Sequence, residues 1–360
     1  MPPALLAAAL QLQQPLQLQQ PLQLQQPPRP SAAQSIVYIK IPKTGSSTFA
    51  GVLHRAAGHL QLAGADTCDL KSWSHEPLLW AEHGSYASLA DNVRRMRSHP
   101  LLITLVRDPV ERCMSHYYYS SRVEPSARNK ITFMRKDCST PPPPLSHGAS
   151  DTRLTHSSHP LLTRCSRRTP TIGTDEHQTK MLALDKNLPA PNAWARQREL
   201  DSNATSVTSL LPSFDFMGVA ERFDESVVML ADLLGVDDDA VAYMPVKVAD
   251  GKERHDGASL HTRRHTPWEK EDAAVRQFAA SSEFQNANQM DYELHAAATA
   301  RLDAFYTKPE HRARLAHYKE RREQLVAAVH DKTTGAVDLD AAHRSNLIFG
   351  CETNRGEWGQ

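Results

Sequence analysis

Two short loops hold residue types suited to binding phosphate. The first is Ile41-Pro42-Lys43-Thr44-Gly45-Ser46-Ser47-Thr48. It sets a lysine, the N–H groups around Gly45 to Thr48 and the hydroxyls of Ser46, Ser47 and Thr48 ahead of a helical pattern. A helix N-terminus with a lysine beside it is an anion site. The second loop is Arg107-Asp108-Pro109, with Ser115 two turns further on. An arginine fork and a hydroxyl together can hold a phosphate. Taken alone, Arg107-Asp108 also reads as a local ion pair, and Ser46 to Thr48 as ordinary helix capping. The first loop does not read Gly-x-x-x-x-Gly-Lys-Ser/Thr, so it is not a Walker A loop and a nucleoside triphosphatase is disfavoured. Two anion-binding loops without a Walker A motif suit a ligand carrying two separate phosphates.

The elements that must position these loops repeat three times. Ser35-Ile36-Val37-Tyr38-Ile39 is a short β-branched run, predicted as a buried parallel strand. Phe49, Val52 and Leu53 follow the first loop at helical spacing. Residues 101–106 predict a second strand and residues 110–121 a helix, with Pro109 suited to the first helical turn. Residues 214–219 predict a third strand and residues 224–234 a helix, with Asp224 as its N-cap and Gly235 just past its end. Strands alternating with helices imply an α/β protein with a central parallel sheet and right-handed crossovers. Ligands then bind beyond the carboxyl ends of the strands, where both loops lie.

The first loop resembles the 5′-phosphosulfate loop of Golgi-type carbohydrate sulfotransferases. Val106-Arg107-Asp108-Pro109-Val110-Glu111-Arg112, with Ser115 and Tyr117 to Tyr119, resembles their 3′-phosphate segment. The likeness is strongest to the heparan sulfate and uronyl 2-O-sulfotransferases, whose Arg-Asp-Pro-x-Glu-Arg run ends in a similar Ser-x-Tyr-Tyr-Tyr pattern. Two supporting matches follow in order: His177-Gln178-Thr179-Lys180-Met181-Leu182, and the stretch from Phe216 to Ser226. The resemblance spans about Ser35 to Tyr306. It implies a P-loop-like three-layer sandwich, the sulfotransferase fold, and 3′-phosphoadenosine 5′-phosphosulfate (PAPS) as sulfate donor, with no metal.

Carried over by that resemblance, Lys43, Thr44, Gly45, Ser46, Ser47 and Thr48 hold the 5′-phosphosulfate, and Arg107 and Ser115 the 3′-phosphate. An in-line displacement puts negative charge on the leaving phosphate oxygen, and Lys43 is the cation assigned to it. The attacking hydroxyl gains from a base near neutral pH, which suits histidine. His83, in Glu82-His83-Gly84-Ser85-Tyr86, matches the His-x-Ser-Tyr segment of the 2-O-sulfotransferases and is assigned as the base. His75 and His54 are the runners-up.

Composition bounds the rest. The 360 residues carry 41 Lys+Arg and 41 Asp+Glu, so bulk attraction to nucleic acid is excluded while local basic pockets are not. Arg94, Arg95 and Arg97, and the knot His261, Arg263, Arg264 and His265, read as solvated basic faces, with contact to an acidic glycan as the other reading. His261 and His265 have little of a zinc site about them. Gln-Leu-Gln-Gln-Pro recurs at 11, 17 and 23, so residues 1–34 read as a Gln/Pro-rich tail without packed structure. Residues 139–170 read as a surface insertion within a 35–326 domain, and 327–360 as a C-terminal tail. No run of about 18 apolar residues is present.

Five cysteines leave at least one unpaired, and Cys138 with Cys165 brackets the insertion as a candidate pair. Asn203-Ala204-Thr205 is a glycosylation sequon that fits a luminal protein. The resemblance implies the Golgi lumen or membrane, although the anchor usual there is not visible; cytoplasm is the other location. A glycan acceptor follows from the resemblance, and a homo-oligomer is compatible with it. The alternatives are a nucleotide- or acidic-glycan-binding protein that keeps the fold without catalysis, and sulfation of protein tyrosine or a small molecule.

Overall fold

The computed structural model of the chain describes residues 34–63, 77–82, 99–120, 125–138, 211–244 and 266–329, together with 93, 96 and 178. Four parallel strands form its centre: β1 (Ile36–Ile39), β2 (Leu79–Glu82), β3 (Leu101–Val106) and β4 (Phe216–Val219). Their spatial order is β2-β1-β3-β4. Ile36 stands opposite Leu79 on one side and Leu101 on the other, and Ile103 opposite Phe216. Every residue of β1, β3 and β4 is buried, as expected of a sheet covered on both faces.

The three predicted strand–loop–helix units are present. β1 leads to α1 (Ser46–His59), β3 to α2 (Pro109–Ser120), and β4 to α4 (Phe223–Leu234). Between the second and third units lies α3 (Ala127–Cys138). After the third come α5 (Ala273–Ala279), α6 (Ser282–Ala287), α7 (Gln289–Phe305) and α8 (Pro309–Ala328). Gly235 ends α4 at φ 66°, the left-handed conformation expected of it. The Asp224 expectation is corrected: Arg222 holds the N-cap position, and Asp224 lies inside the first turn, where it accepts from the Tyr243 hydroxyl at 2.9 Å.

Two apolar clusters support the sheet. In the larger, the Phe49 ring of α1 stacks on Phe216 of β4 at 5.8 Å and meets Tyr38 of β1 edge-on at 5.2 Å. α4 and α7 pack against β4. Gly218 makes the α4 approach close: a Cβ there would stand 2.8 Å from Leu105 and 3.0 Å from the Cβ of Ser226. The Ser226 hydroxyl in turn bonds the main chain of Val219.

The smaller cluster joins α2, α3, α5 and α6 through Tyr117, Tyr118, Met134, Val275, Phe278 and Phe284. Inside it, Cys113 and Cys138 form a disulfide. This corrects the pairing of Cys138 with Cys165. Cys113 sits one turn into α2, on the face that meets α3, and its Cα is 6.2 Å from that of Cys138. Cys165 and the whole of residues 139–170 fall outside the described residues, as do residues 1–33 and 330–360.

Candidate active site

The β1–α1 loop turns on two left-handed residues, Lys43 at φ 68° and Gly45 at φ 76°. Only glycine takes that conformation freely, so the lysine is held there by its surroundings, a feature found at ligand-binding loops. Thr44 supplies part of the hold, its hydroxyl donating to the carbonyl of Ile41 at 2.9 Å. Gly45 is the N-cap of α1, and no side chain caps the helix. The N–H groups of Ser46, Ser47 and Thr48 precede the first intrahelical bond, from Phe49 N–H to the Gly45 carbonyl at 3.1 Å. The loop is therefore a nest of N–H donors at the positive end of a helix, with Lys43 at its rim. The N-cap is Gly45 and not one of the neighbouring serines or threonines.

The β3–α2 loop stands beside it because β3 neighbours β1. Asp108 caps α2, its Oδ1 accepting from Val110 N–H at 2.9 Å and Glu111 N–H at 3.0 Å. It is thus not the ion-pair partner of Arg107. The Arg107 guanidinium lies 3.2 Å from the Glu111 carboxylate and 3.5 Å from that of Glu221. It also donates to the main-chain carbonyl of Lys43 at 3.2 Å. That last bond ties the two loops together. Ser115 is buried on the same helix, at 6 % exposure.

Further groups shape this site. Arg112, Ser115, His116 and Tyr119 recur along α2 at helical spacing. The Lys43 ammonium sits over the Tyr119 ring, 3.8 Å from its centre. His116 is pushed down to about 4, by burial first and then by the charges of Arg112 and Lys43, so the ring is neutral at neutral pH. Arg112 is 1 % exposed, and its Nε and Nη2 have no hydrogen-bond partner among the described residues. Burial lowers its pKa, and the charge of Asp291 opposes that. Glu221 accepts from Asp108 N–H at 3.1 Å and pairs with His295 of α7 at 3.2 Å. Burial disfavours its charge, but the bonds from His295 and its own backbone, with the charge of Arg107, hold it below the ordinary carboxylate value.

The structure thus brings Lys43, Thr44, Gly45, Ser46, Ser47 and Thr48 together with Arg107 on two adjacent loops, and places Ser115 within the helix after the second. His54 lies elsewhere, buried in the body of α1 at 3 % exposure. His83 and His75 fall outside the described residues, as do Arg94, Arg95, Arg97, the basic knot 261–265, the Asn203 sequon and, save for Gln178, the segment 177–182. Among the described residues no group of three His, Cys, Asp or Glu side chains could hold a metal ion. Within the same residues no helix is long and apolar enough to cross a membrane.

Sequence reasoning singled out neither His116 nor Asp291, and Glu221 only as part of a longer stretch. His116 occupies the free position of the Ser-x-Tyr-Tyr-Tyr pattern, and as one of 18 histidines it carried no mark of its own. Asp291 stands in the first turn of α7, far along the chain from both loops.

A parallel α/β sheet binds ligands beyond the carboxyl ends of its strands, and there the loops with Lys43 and Arg107 stand side by side. A lysine so placed can stabilise charge that develops on a leaving oxygen. The model of the sulfotransferase family matches residues 31–296, and the chain belongs to that family. It is a transferase of sulfuryl groups to an acceptor substrate. No curated protein matches the chain significantly.

Proposed function

We propose that the chain is a PAPS-dependent O-sulfotransferase acting on a hydroxyl of a glycan. The observation that carries the donor assignment is the Arg107 to Lys43 hydrogen bond at 3.2 Å, which sets the two anion-holding loops side by side. PAPS carries a phosphosulfate and a phosphate on one nucleoside, and needs two such loops within one ligand's reach. Lys43, Thr44, Gly45, Ser46, Ser47 and Thr48 hold the 5′-phosphosulfate; Arg107 and Ser115 hold the 3′-phosphate. The donor supplies the sulfuryl group. Lys43 holds positive charge where the leaving phosphate oxygen gains negative charge. His83 is the base for the acceptor hydroxyl, an assignment supported by the sequence resemblance.

The glycan acceptor has the same support. A Golgi lumen location is supported by the Cys113–Cys138 bond, since disulfides persist in oxidising compartments and are rare in the cytosol. The folded catalytic unit is assigned to residues 35–326. A homo-oligomer remains compatible with these assignments.

Calorimetry with adenosine 3′,5′-bisphosphate tests the donor site. The wild-type chain binds it, and Arg107→Ala weakens binding by about 1.5–3 kcal/mol, the range for a hydrogen bond to a charged group. No binding by the wild-type chain at millimolar nucleotide overturns the reading.

A further inference from the structure

Arg107 is the first residue beyond the β3–β4 ladder, which ends with Val106 opposite Val219. Its main-chain groups would there lose the sheet as a partner. A side chain from a distant segment takes over. The Oε1 of Gln178 accepts from Arg107 N–H at 2.8 Å, and its Nε2 donates to the Arg107 carbonyl at 2.6 Å. One amide thus satisfies both polar groups of one residue, as a neighbouring strand would. Gln178 is fully buried. Its own N–H donates to Asp291 Oδ2 at 3.1 Å, and Asp291, in the first turn of α7, is fully buried as well. The opposite charges of Asp291 and the buried Arg112 act on one another.

We infer that Gln178 is a positioning residue for the nucleotide 3′-phosphate: it fixes the backbone of Arg107 at the sheet edge, and Asp291 fixes Gln178. The inference rests on the reading of Arg107 as a 3′-phosphate ligand. The direction of the Arg107 side chain is set by its backbone, which two short hydrogen bonds from a buried amide hold in one conformation. Glu111, Glu221 and the Lys43 carbonyl already engage the guanidinium, so the N–H groups it has left for a phosphate depend on the angle at which that backbone presents it. An arginine shared between carboxylates and a phosphate gains from such a clamp.

The test compares two nucleotides on the full chain by calorimetry: adenosine 3′,5′-bisphosphate, and adenosine 5′-monophosphate, which lacks the 3′-phosphate. The wild-type chain prefers the bisphosphate. Gln178→Ala lowers bisphosphate affinity about tenfold and leaves the monophosphate unchanged. In an Arg107→Ala background the same change has no further effect on either nucleotide. Gln178→Met keeps the length of the side chain and loses both bonds, so it narrows the preference as the alanine does; it serves if the alanine variant does not fold. A folded Gln178 variant that keeps the wild-type preference while Arg107→Ala abolishes it overturns the inference. A wild-type chain with no preference for the 3′-phosphate overturns the Arg107 reading beneath it.

Discussion

Lys43 and His116 share one small volume and answer to each other's charge. The ammonium rests on the Tyr119 ring, while the imidazole one turn earlier stays neutral because burial, Arg112 and Lys43 all oppose its protonation. The folded-state value of about 4 lies below the ordinary 6.5. Above about pH 6.5 the ring is neutral in both states and costs nothing. As pH falls below that, the unfolded chain takes up a proton that the folded chain refuses, so stability drops until the folded ring itself titrates. The drop amounts to about 2 kcal/mol at about pH 5. Melting temperature measured against pH therefore declines more steeply for the wild-type chain than for His116→Gln between about pH 6.5 and 4. Parallel curves would show that the histidine is not held neutral by its site. The placement of Lys43, Gly45 and Arg107 at strand ends was legible in the sequence because each stands in a contiguous motif next to a strand. Gln178, Glu221 and Asp291 were not, because their roles exist only across contacts spanning 71 to 113 positions.

Each strand–loop–helix unit carries its own local signal. Short apolar runs mark the strands and apolar residues recur at helical spacing after them, so β1, β3, β4 and the helices after β3 and β4 were readable to within two residues, while α1 was marked only by Phe49, Val52 and Leu53. β2 was not: its Leu-Trp-Ala-Glu lacks β-branched residues and alternation, and it becomes a strand through pairing with β1. α3 was equally silent, being a polar helix whose few inward residues, Lys130, Met134 and Cys138, meet α2 and its neighbours. Its attachment to α2 through Cys113 could not be read from cysteine spacing, since five cysteines allow many pairings. The bond closes a loop with a sequence separation of 25. Chain-entropy reasoning gives such a closure about 3 kcal/mol. Cys113→Ser is expected to lower the melting temperature by several degrees under non-reducing conditions. An unchanged melting temperature would mean that the link adds no stability. Because α2 also carries Arg112, Ser115 and Tyr119, loosening it is expected to weaken nucleotide binding as well.

At the scale of the whole molecule, equal numbers of acidic and basic residues conceal a local arrangement. Many of the basic residues of α8 are spent on internal pairing: Arg314 meets Asp232 and Asp238, Arg321 meets Asp239, and Arg322 meets Asp224. Lys43, Arg107 and Arg112 gather at the carboxyl edge of the sheet, where Arg107 is paired with Glu111 and Glu221. α7 braces that edge through Asp291 and His295, from beyond the three units that supply the loops. Membership of the sulfotransferase family places sulfuryl transfer on this framework. The most direct measurement is transfer of labelled sulfate from PAPS to a panel of glycosaminoglycans and other glycans, with tyrosine peptides and small phenols alongside. The expected result is transfer to a glycan hydroxyl by the wild-type chain, loss of at least about a hundredfold in Lys43→Ala, and loss in His83→Ala with affinity for adenosine 3′,5′-bisphosphate retained. Undiminished transfer by Lys43→Ala, or transfer only to the peptides or phenols, would contradict it.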